Sequence, residues 1–347
     1  MDFPYKEQLS ITPVTDIGSG FGPWVGGVAS GLTTGISSIM GKTWSERIIF
    51  DAQPDRVLSK YFIEFTDLIG NNDLTFVIPK IGDVNLMGGR VAYGEGTTRT
   101  LTNFDTADNV TVYLTSRDVK LGGCGISFET ASGTRVSLVE MAHRMLVQQY
   151  LETLETDANA CLEKSANWSA VGSTGPSAVY GGDATDSDEL NTGDVITVDK
   201  IVDMKIKLQE KNFAKRPGQA VLFVHPTQYK FLLKSSQFTS AEQYGSGGIV
   251  QSGVIENYVG CKIEVSTLLS TSATFTTNTS CDAWGATGHI AYMIDPSAAA
   301  CIVWKEKAKV KVETWDDERV HKVLLDAWYK MSMINYMALC YGLFTDS

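Results

Sequence analysis

The spacing of apolar residues predicts one helix that is much longer than the others. Over residues 137–164, Val147, Leu151 and Leu154 recur at intervals of four and three, which is the period of one helical face. At about 1.5 Å per residue, such a helix is about 40 Å long. We therefore expect a helix that runs across a domain and supports other elements along its length.

Elsewhere, shorter segments with helical spacing alternate with segments that have the period of a strand. Helical spacing occurs over 43–65, with a second short helix beginning at Pro54, and again over 197–213 and 225–232. Strands are expected over 74–78, 110–115, 220–224, 261–265, 289–294, 300–304, 305–312 and 330–344. The polar, glycine-rich stretch 167–193 predicts an exposed loop. Because the chain lacks β-α-β alternation and an internal repeat, the expected fold class is α+β.

The strands over 74–78 and 110–115 predict a long two-stranded arm within residues 74–128. Four glycines between positions 88 and 96 lie near its tip, together with Arg90 and Arg99. Glycine lets two backbones approach closely, and arginine pairs well with carboxylates. Because an isolated hairpin is only marginally stable in water, we expect the arm to lie on a partner surface, with both arginines as candidate contacts to a neighbouring subunit.

Four lysines alternate with other residues over 305–311, and a cluster of acids follows them. Strand period two would place the four lysines on one face. One interpretation is a solvated surface on which the charges neutralise each other; the other is a charged strip that meets its complement on a neighbouring copy. The candidate residues of this strip are Lys305, Lys307, Lys309, Lys311, Asp316, Asp317 and Glu318.

The first 42 residues predict an extended arm. Residues 17–41 are 25 consecutive uncharged positions, which is long enough to cross a bilayer, but 14 of them are Gly, Ser or Thr. That composition does not favour membrane insertion, and the acids Asp2, Glu7 and Asp16 argue against a secretory signal. A segment so rich in Gly and Ser cannot order itself alone, so we expect it to lie on another surface.

Composition excludes several classes of protein. The chain has 347 residues, of which 43% are hydrophobic and 20% charged, and its formal net charge is −11. The length predicts about two domains. The apolar content excludes a disordered, collagen-like or coiled-coil chain. The acidic balance argues against a nucleic-acid binder with a basic surface.

No sequence motif predicts a catalytic, cofactor or metal site. The six cysteines contain no C-x-x-C spacing and are expected to be reduced thiols. The four histidines lack metal-ligand spacing, and no serine stands in a G-x-S-x-G motif. Gly41-Lys42-Thr43 resembles the end of a phosphate loop, but the spacing of the preceding glycines does not fit. The carboxylates over 183–189 lack the spacing of an EF-hand and predict a solvated loop.

The order of the elements carries more information than any motif. An extended arm is followed by a two-stranded loop, a long helix, a compact α+β region, a return strand with a charged turn, and a terminal strand. Four stretches add local detail, namely the strand, proline and short helix over 221–232, the glycine loop and strand over 248–266, the acidic turn 317–319 and the strand 341–344. Together they resemble the major capsid proteins of tailed prokaryotic viruses, the Hong Kong 97 fold, over about residues 40–347.

The resemblance implies a division of the chain into named regions. Residues 1–73 would be the N-terminal arm with short helices, and 74–128 the extended loop that overlaps a neighbour. The peripheral domain would contain 129–165 and 304–330, with the long helix as its spine. The axial domain would contain 166–303 and 331–347.

The same resemblance implies the function and the partners. The chain would assemble with copies of itself, as hexamers and pentamers, into an icosahedral shell around double-stranded DNA in the host cytoplasm. No enzyme activity and no cofactor are implied, and DNA would be enclosed without sequence-specific binding. Because no long, charged helical segment precedes the fold, scaffolding would be a separate protein or absent. A portal and a decoration protein are further expected partners.

Two other functions are compatible with the sequence. An encapsulin-like compartment shell would have the same fold and contain a cargo enzyme, but such shells tend to be shorter and to lack a long arm. An enzyme of unidentified type is the third hypothesis. The nucleic-acid content of a purified particle distinguishes a virus from a compartment, and the absence of any particle would favour an enzyme.

Overall fold

The structure is a computed structural model, and it describes residues 56–80, 108–128, 138–165, 175–235, 255, 257–279, 284–316 and 318–346. The helices are α1 (Leu138–Ser165), α2 (Val198–Glu210), α3 (Pro226–Lys234) and α4 (Ser272–Thr279). The strands are β1 (Ile63–Phe65), β2 (Thr75–Lys80), β3 (Asp108–Tyr113), β4 (Val119–Ser127), β5 (Ser177–Tyr180), β6 (Ala220–Val224), β7 (Asn257–Tyr258), β8 (Cys261–Val265), β9 (Gly288–Ile294), β10 (Ala300–Trp315), β11 (Val320–Met333) and β12 (Leu339–Thr345). Single 3₁₀ turns span Ser59–Tyr61, Ser116–Asp118 and Tyr336–Ala338.

A four-stranded sheet in the order β1-β10-β11-β4 is covered by α1 on one face. Alternate residues of β11, Val323, Leu325 and Ala327, are buried on that face in the same cluster as Leu146 and Leu154 of α1. The opposite face carries the β2–β3 hairpin at one end. The two periodicities, 3.6 for the helix and 2 for the strands, thus bring their apolar faces together.

A six-stranded mixed sheet in the order β5-β12-β9-β6-β8-β7 forms the second layer system. Residues such as Leu222 and Met293 form one cluster with α2 and α3, whereas Phe223 and Tyr292 belong to the cluster that contains α1 and α4. The central strands of this sheet are therefore almost continuously apolar, which is typical of strands buried on both faces. Close packing also fixes Gly342, since a Cβ there would lie 2.3 Å from the ring of Phe344.

Helix α1 touches both sheets and uses buried carboxylates to hold neighbouring segments. Glu155 is fully buried and accepts hydrogen bonds from the backbone N–H groups of Leu58, at 2.7 Å, and Ser59, at 3.0 Å, and from the Ser59 hydroxyl. Glu163, also buried, accepts from the hydroxyl of Ser270 at 2.8 Å. A buried carboxylate is tolerated only with such donors, so these contacts fix the segment preceding β1 and the loop before α4.

Several sequence predictions are confirmed. The long helix lies within one residue of its predicted bounds, and α2, α3, β6 and β8 occur where periodicity placed them. The strands β2 and β3 pair antiparallel from Thr75↔Tyr113 to Lys80↔Asp108, as expected for a two-stranded arm. Residues 1–55, which include the predicted arm, and the tip 81–107 lie outside the described residues.

Other predictions were wrong. The helical spacing predicted over 43–65 gives, in its described part, one 3₁₀ turn and then β1, because 63–65 pair with β10. The strand predicted over 330–344 is the end of β11 and then β12, separated by a turn at Asn335 whose side chain accepts from the N–H of Met337. The predicted loop 167–193 contains β5, and α4 was not predicted.

The expected extended loop, 74–128, contains more than the arm. Its last strand, β4, pairs with β11 over nine positions, from Trp328↔Val119 to Val320↔Ser127, and is therefore part of the four-stranded sheet. The predicted boundaries 303/304 and 330/331 fall within the continuous strands β10 and β11. The division into peripheral and axial domains stays a prediction.

Candidate assembly surfaces

The base of the β2–β3 hairpin packs on the four-stranded sheet and leaves an apolar row outside. Its inner residues Ile78 and Val112 cluster with Val303 of β10. On its outer side Val77 is half exposed and Tyr113 is 61% exposed. The alternation that identified the strands also contained this outer row, which the sequence analysis did not single out. Arg90 and Arg99, the predicted tip contacts, lie outside the described residues.

The lysine strand does not follow a uniform period of two. Trp304 pairs with Tyr329 and Glu306 with Trp328, so β10 has one extra residue in this interval. A second extra residue lies between Glu306 and Lys309, which pairs with Asp326. Residues that pair across a ladder point to the same face, and each bulge reverses the alternation. Glu306, Lys309 and Lys311 therefore share one face, and the prediction of four lysines on a regular strand face was wrong.

Most of the predicted charges have partners within the chain. Lys305 donates to the backbone carbonyls of Asn71 and, at 3.0 Å, Asp73. Lys309 lies 2.8 Å from the carboxylate of Glu306, and Lys311 lies 3.4 Å from that of Asp326. The hydrogen bond and charge of Lys309 lower the pKa of Glu306. Lys307 makes no hydrogen bond or ion pair with another residue that the structure describes.

The acidic turn is also partly neutralised. The carboxylate of Glu318 lies 2.7 Å from the ammonium of Lys322, which stands 3.4 Å above the ring of Trp315. Asp316 accepts the N–H of Arg319 through its backbone carbonyl, at 3.2 Å, and its exposed side chain has no ion pair within the described part of the chain. Asp317 lies outside that part. The predicted strip is thus reduced to a few unpaired charges.

The face of the four-stranded sheet that carries Lys309 and Lys311 continues onto strand β4, which is apolar and rich in glycine. On β4, Leu121 is 75% exposed, and Gly123 and Gly125 are exposed beside it. A Cβ at Gly123 would lie 3.1 Å from the Leu324 side chain, and one at Gly125 would lie 3.3 Å from Val320. The glycines therefore leave a smooth surface around one protruding leucine.

A network of four side chains joins the segment before β1 to β8. The ammonium groups of Lys60 and Lys262 lie 3.1 Å and 2.9 Å from the same oxygen of Glu264, and the Tyr61 hydroxyl donates to that oxygen. Burial opposes ionisation of Glu264, but hydrogen bonds from Tyr61, Lys262 and Lys60 outweigh it and lower the pKa of this carboxyl. The ring of Tyr61 packs edge-on against Phe223, with centroids 5.6 Å apart. Sequence spacing gave no signal for these contacts, since about 200 residues separate the partners.

The described cysteines have the environment of structural thiols. The structure records Cys124, Cys161, Cys261, Cys301 and Cys340 as free, and burial raises the pKa of Cys161, Cys301 and Cys340 to about 12. A thiol with so high a pKa is protonated at neutral pH and is a poor nucleophile. Within the described residues, no group of three or more His, Cys, Asp or Glu side chains is arranged to hold a metal ion. No helix among those residues is both long and apolar enough to span a bilayer.

The fold is that of tailed-phage capsid shells. The chain is similar to the capsid protein of cyanophage P-SCSP1u, with a TM-score of 0.66 and 12% identity over 90% of this chain and 94% of that one. It is similar to the capsid of cyanophage Pam1, with a TM-score of 0.66 and 15% identity over 89% and 97% of the two chains. The chain is also similar to a chain of Mycobacterium phage Che8, with a TM-score of 0.60 and 16% identity over 87% of this chain and 96% of that one. At such low identity these similarities establish the Hong Kong 97-type architecture.

Sequence comparison establishes the family. A family model described as phage capsid protein matches residues 122–341, which is more than half of the chain. The chain therefore belongs to the phage capsid protein family and is a structural shell protein of the major capsid type. The match favours a virus over a compartment shell. No curated protein sequence matches the chain.

Proposed function

We propose that copies of this chain assemble as hexamers and pentamers into a closed icosahedral shell that encloses double-stranded viral DNA. The observation that supports this most strongly is the pair of exposed apolar surfaces, one on the hairpin and one on β4. In a monomer both would remain in water, where apolar surface is unfavourable. In a shell each is repeated and covered at every equivalent contact.

The two apolar surfaces are compatible with one type of contact between neighbours. The outer row of the hairpin, Val77 and Tyr113, presents side chains, whereas the surface around Gly123 and Gly125 presents backbone. A protruding row against a smooth surface allows close packing, which dispersion forces reward. We therefore place the outer row of one copy against β4 of a neighbour, with the unpaired charges Lys307 and Asp316 at the margin. Arg90, Arg99 and Asp317 remain proposed contacts of the same kind.

The acidic character of the chain is compatible with a DNA container. With a net charge of −11, the wall does not bind DNA through a basic surface. DNA enters with its own counterions, and enclosure needs no sequence-specific contact. We propose assembly in the host cytoplasm, with a separate scaffolding protein, a portal and a decoration protein as partners. In this role the chain has no enzyme activity.

Assembly is tested on the expressed full-length protein by negative-stain electron microscopy and light scattering, with a scaffolding protein added if needed. We expect closed shells of uniform diameter. The ratio of absorbance at the nucleic-acid and protein maxima of particles from infected cells should indicate DNA. A stable monomer under all assembly conditions would contradict the shell, and particles that contain an enzyme cargo without nucleic acid would indicate a compartment.

A further inference from the structure

Two histidines stack face to face beside the six-stranded sheet. The rings of His225 and His289 have centroids 3.7 Å apart and planes within 3° of parallel. His225 is the N-cap residue of α3, directly after β6, and His289 lies in β9. The side chain of His289 is only 13% exposed. Two positive rings at this distance repel each other strongly in such a partly buried place, so the stacked geometry suits at most one proton beyond the neutral pair.

Both rings are connected to one carboxylate, that of Asp346 directly after β12. Nδ1 of His289 donates to Asp346 Oδ2 at 2.8 Å. Nδ1 of His225 lies 2.8 Å from the hydroxyl oxygen of Thr227, and that hydroxyl donates to Asp346 Oδ1 at 3.0 Å. One carboxylate neutralises one imidazolium. It cannot neutralise two.

Further hydrogen bonds around the two histidines hold the end of the C-terminal strand β12. The side-chain amide of Gln228 in α3 donates to the backbone carbonyl of His289 at 2.5 Å and to that of Phe344 at 3.2 Å. The N–H of Asp346 donates to the carbonyl of Thr287 at 3.1 Å. Separation of the two rings would therefore loosen the contacts of β12 with α3 and with β9 together.

A positive charge on His225 is opposed by its surroundings. Burial lowers the pKa of His225, and the neighbouring His289 lowers it further, whereas Asp346 acts in the opposite direction. These are the two charged side chains that act on His225 among the described residues, one from β9 and one from the end of β12. The dipole of α3 also disfavours a cation at His225, its N-cap residue.

We propose that His225, His289 and Asp346 form an acid-sensitive clasp on the C-terminal strand. With no more than one proton added to the pair, the clasp is closed and the end of β12 is held. When acid drives a second proton onto the stacked rings, they separate and the end of β12 opens locally, while the rest of the fold persists.

Hydrogen–deuterium exchange on the unassembled full-length protein tests this clasp. Measurements at about pH 7.5 and about pH 5 bracket the ordinary histidine pKa of about 6.5. After correction for the intrinsic pH dependence of exchange, amides over 340–346 should exchange about tenfold faster at the lower pH, which corresponds to about 1.4 kcal/mol in the free energy of local opening. Amides of α1 serve as the internal reference and should change much less.

Three variants separate the clasp from general acid destabilisation. His225→Asn keeps a residue that caps helices but cannot be protonated, and it should abolish most of the acid-induced increase. Asp346→Asn removes the carboxylate and should move the opening to higher pH. His321→Asn changes a histidine of β11, in the other sheet, whose ring packs tilted against Phe128, and this variant should behave like the unmodified protein.

Two outcomes would overturn the proposal. One is an unmodified protein whose 340–346 amides show no acid-induced increase beyond that of α1. The other is a His225→Asn protein that opens at the same pH and to the same extent as the unmodified one. Because the measurement uses unassembled protein, its result does not depend on whether the chain forms shells.

Discussion

Glu155 should be the side chain of α1 whose loss most strongly destabilises the segment before β1. The carboxylate is fully buried and receives three hydrogen bonds from residues 58 and 59, which lie 97 and 96 positions away in sequence. Glu155→Ala removes both acceptor oxygens and with them all three hydrogen bonds. The backbone N–H groups of Leu58 and Ser59 then remain buried without partners, because both residues are themselves fully buried.

The expected magnitude follows from the number of groups left without partners. A buried donor that loses its acceptor costs about 1–3 kcal/mol, so two of them predict a loss of about 2–6 kcal/mol in the free energy of unfolding for Glu155→Ala. Glu155→Gln keeps one oxygen but presents an amide N–H₂ to a backbone N–H. That variant should lose about 1–3 kcal/mol, since a single donor is affected.

Chemical denaturation of the unassembled protein measures both losses, with Glu152→Ala as the matched control. Glu152 is exposed on the same helix, and its replacement should change the free energy of unfolding by about 0.5 kcal/mol or less. Hydrogen exchange should place the extra loss in residues 58–65. If Glu155→Ala unfolds at the same denaturant concentration as Glu152→Ala, the buried carboxylate does not hold this segment.

Three further changes test the assembly surfaces and the Glu264 network. Tyr113→Asp should prevent shells in electron micrographs while changing the free energy of unfolding by about 0.5 kcal/mol or less; normal shells would exclude the outer hairpin row as a contact. Lys307→Glu combined with Lys309→Glu should weaken assembly, measured by light scattering, at low salt and less so at high salt. If the double variant assembles like the unmodified protein at low salt, these lysines form only a solvated surface. Because the folded pKa of Glu264 is lowered, its stabilisation is present above the unfolded pKa of about 4.3 and is lost as pH falls through the lower folded value. Glu264→Gln should therefore make the midpoint of unfolding depend less on pH on the acid side. An unchanged dependence on pH would contradict this.

The elements that the sequence predicted well are those whose burial has a single period. Helix α1 has 28 residues, and Leu154 of its predicted apolar face is buried together with Ala158 and Leu162, which follow at helical spacing. Strand β6 is buried on both faces and appears as a continuous apolar run. In both cases the local pattern and the tertiary environment agree, which is the condition under which periodicity is reliable.

Prediction failed where the environment changes along one element. Strand β10 is buried on both faces over 300–304 and largely exposed beyond 306, so its apolar pattern ends although its backbone pairing with β11 continues. The sequence therefore indicated two strands where there is one. The contacts of Glu155 and Glu264 gave no signal at all, because their partners are backbone groups or side chains that only the fold brings near.

The bulges in β10 also change which forces dominate the proposed contacts. They place Glu306, Lys309 and Lys311 on the face that also carries Asp326. Lys309 pairs there with Glu306 and Lys311 with Asp326, so charges that would repel in a regular lysine row are paired within one chain. The few remaining exposed charges contribute about 0–1 kcal/mol per pair across an interface. Tyr113 is 61% exposed, and covering that share of a tyrosine of about 200 Å² at about 25 cal/mol per Å² is worth up to about 3 kcal/mol. The apolar rows should therefore determine whether neighbouring copies associate, and the charges at the margin should adjust only the salt dependence of that association.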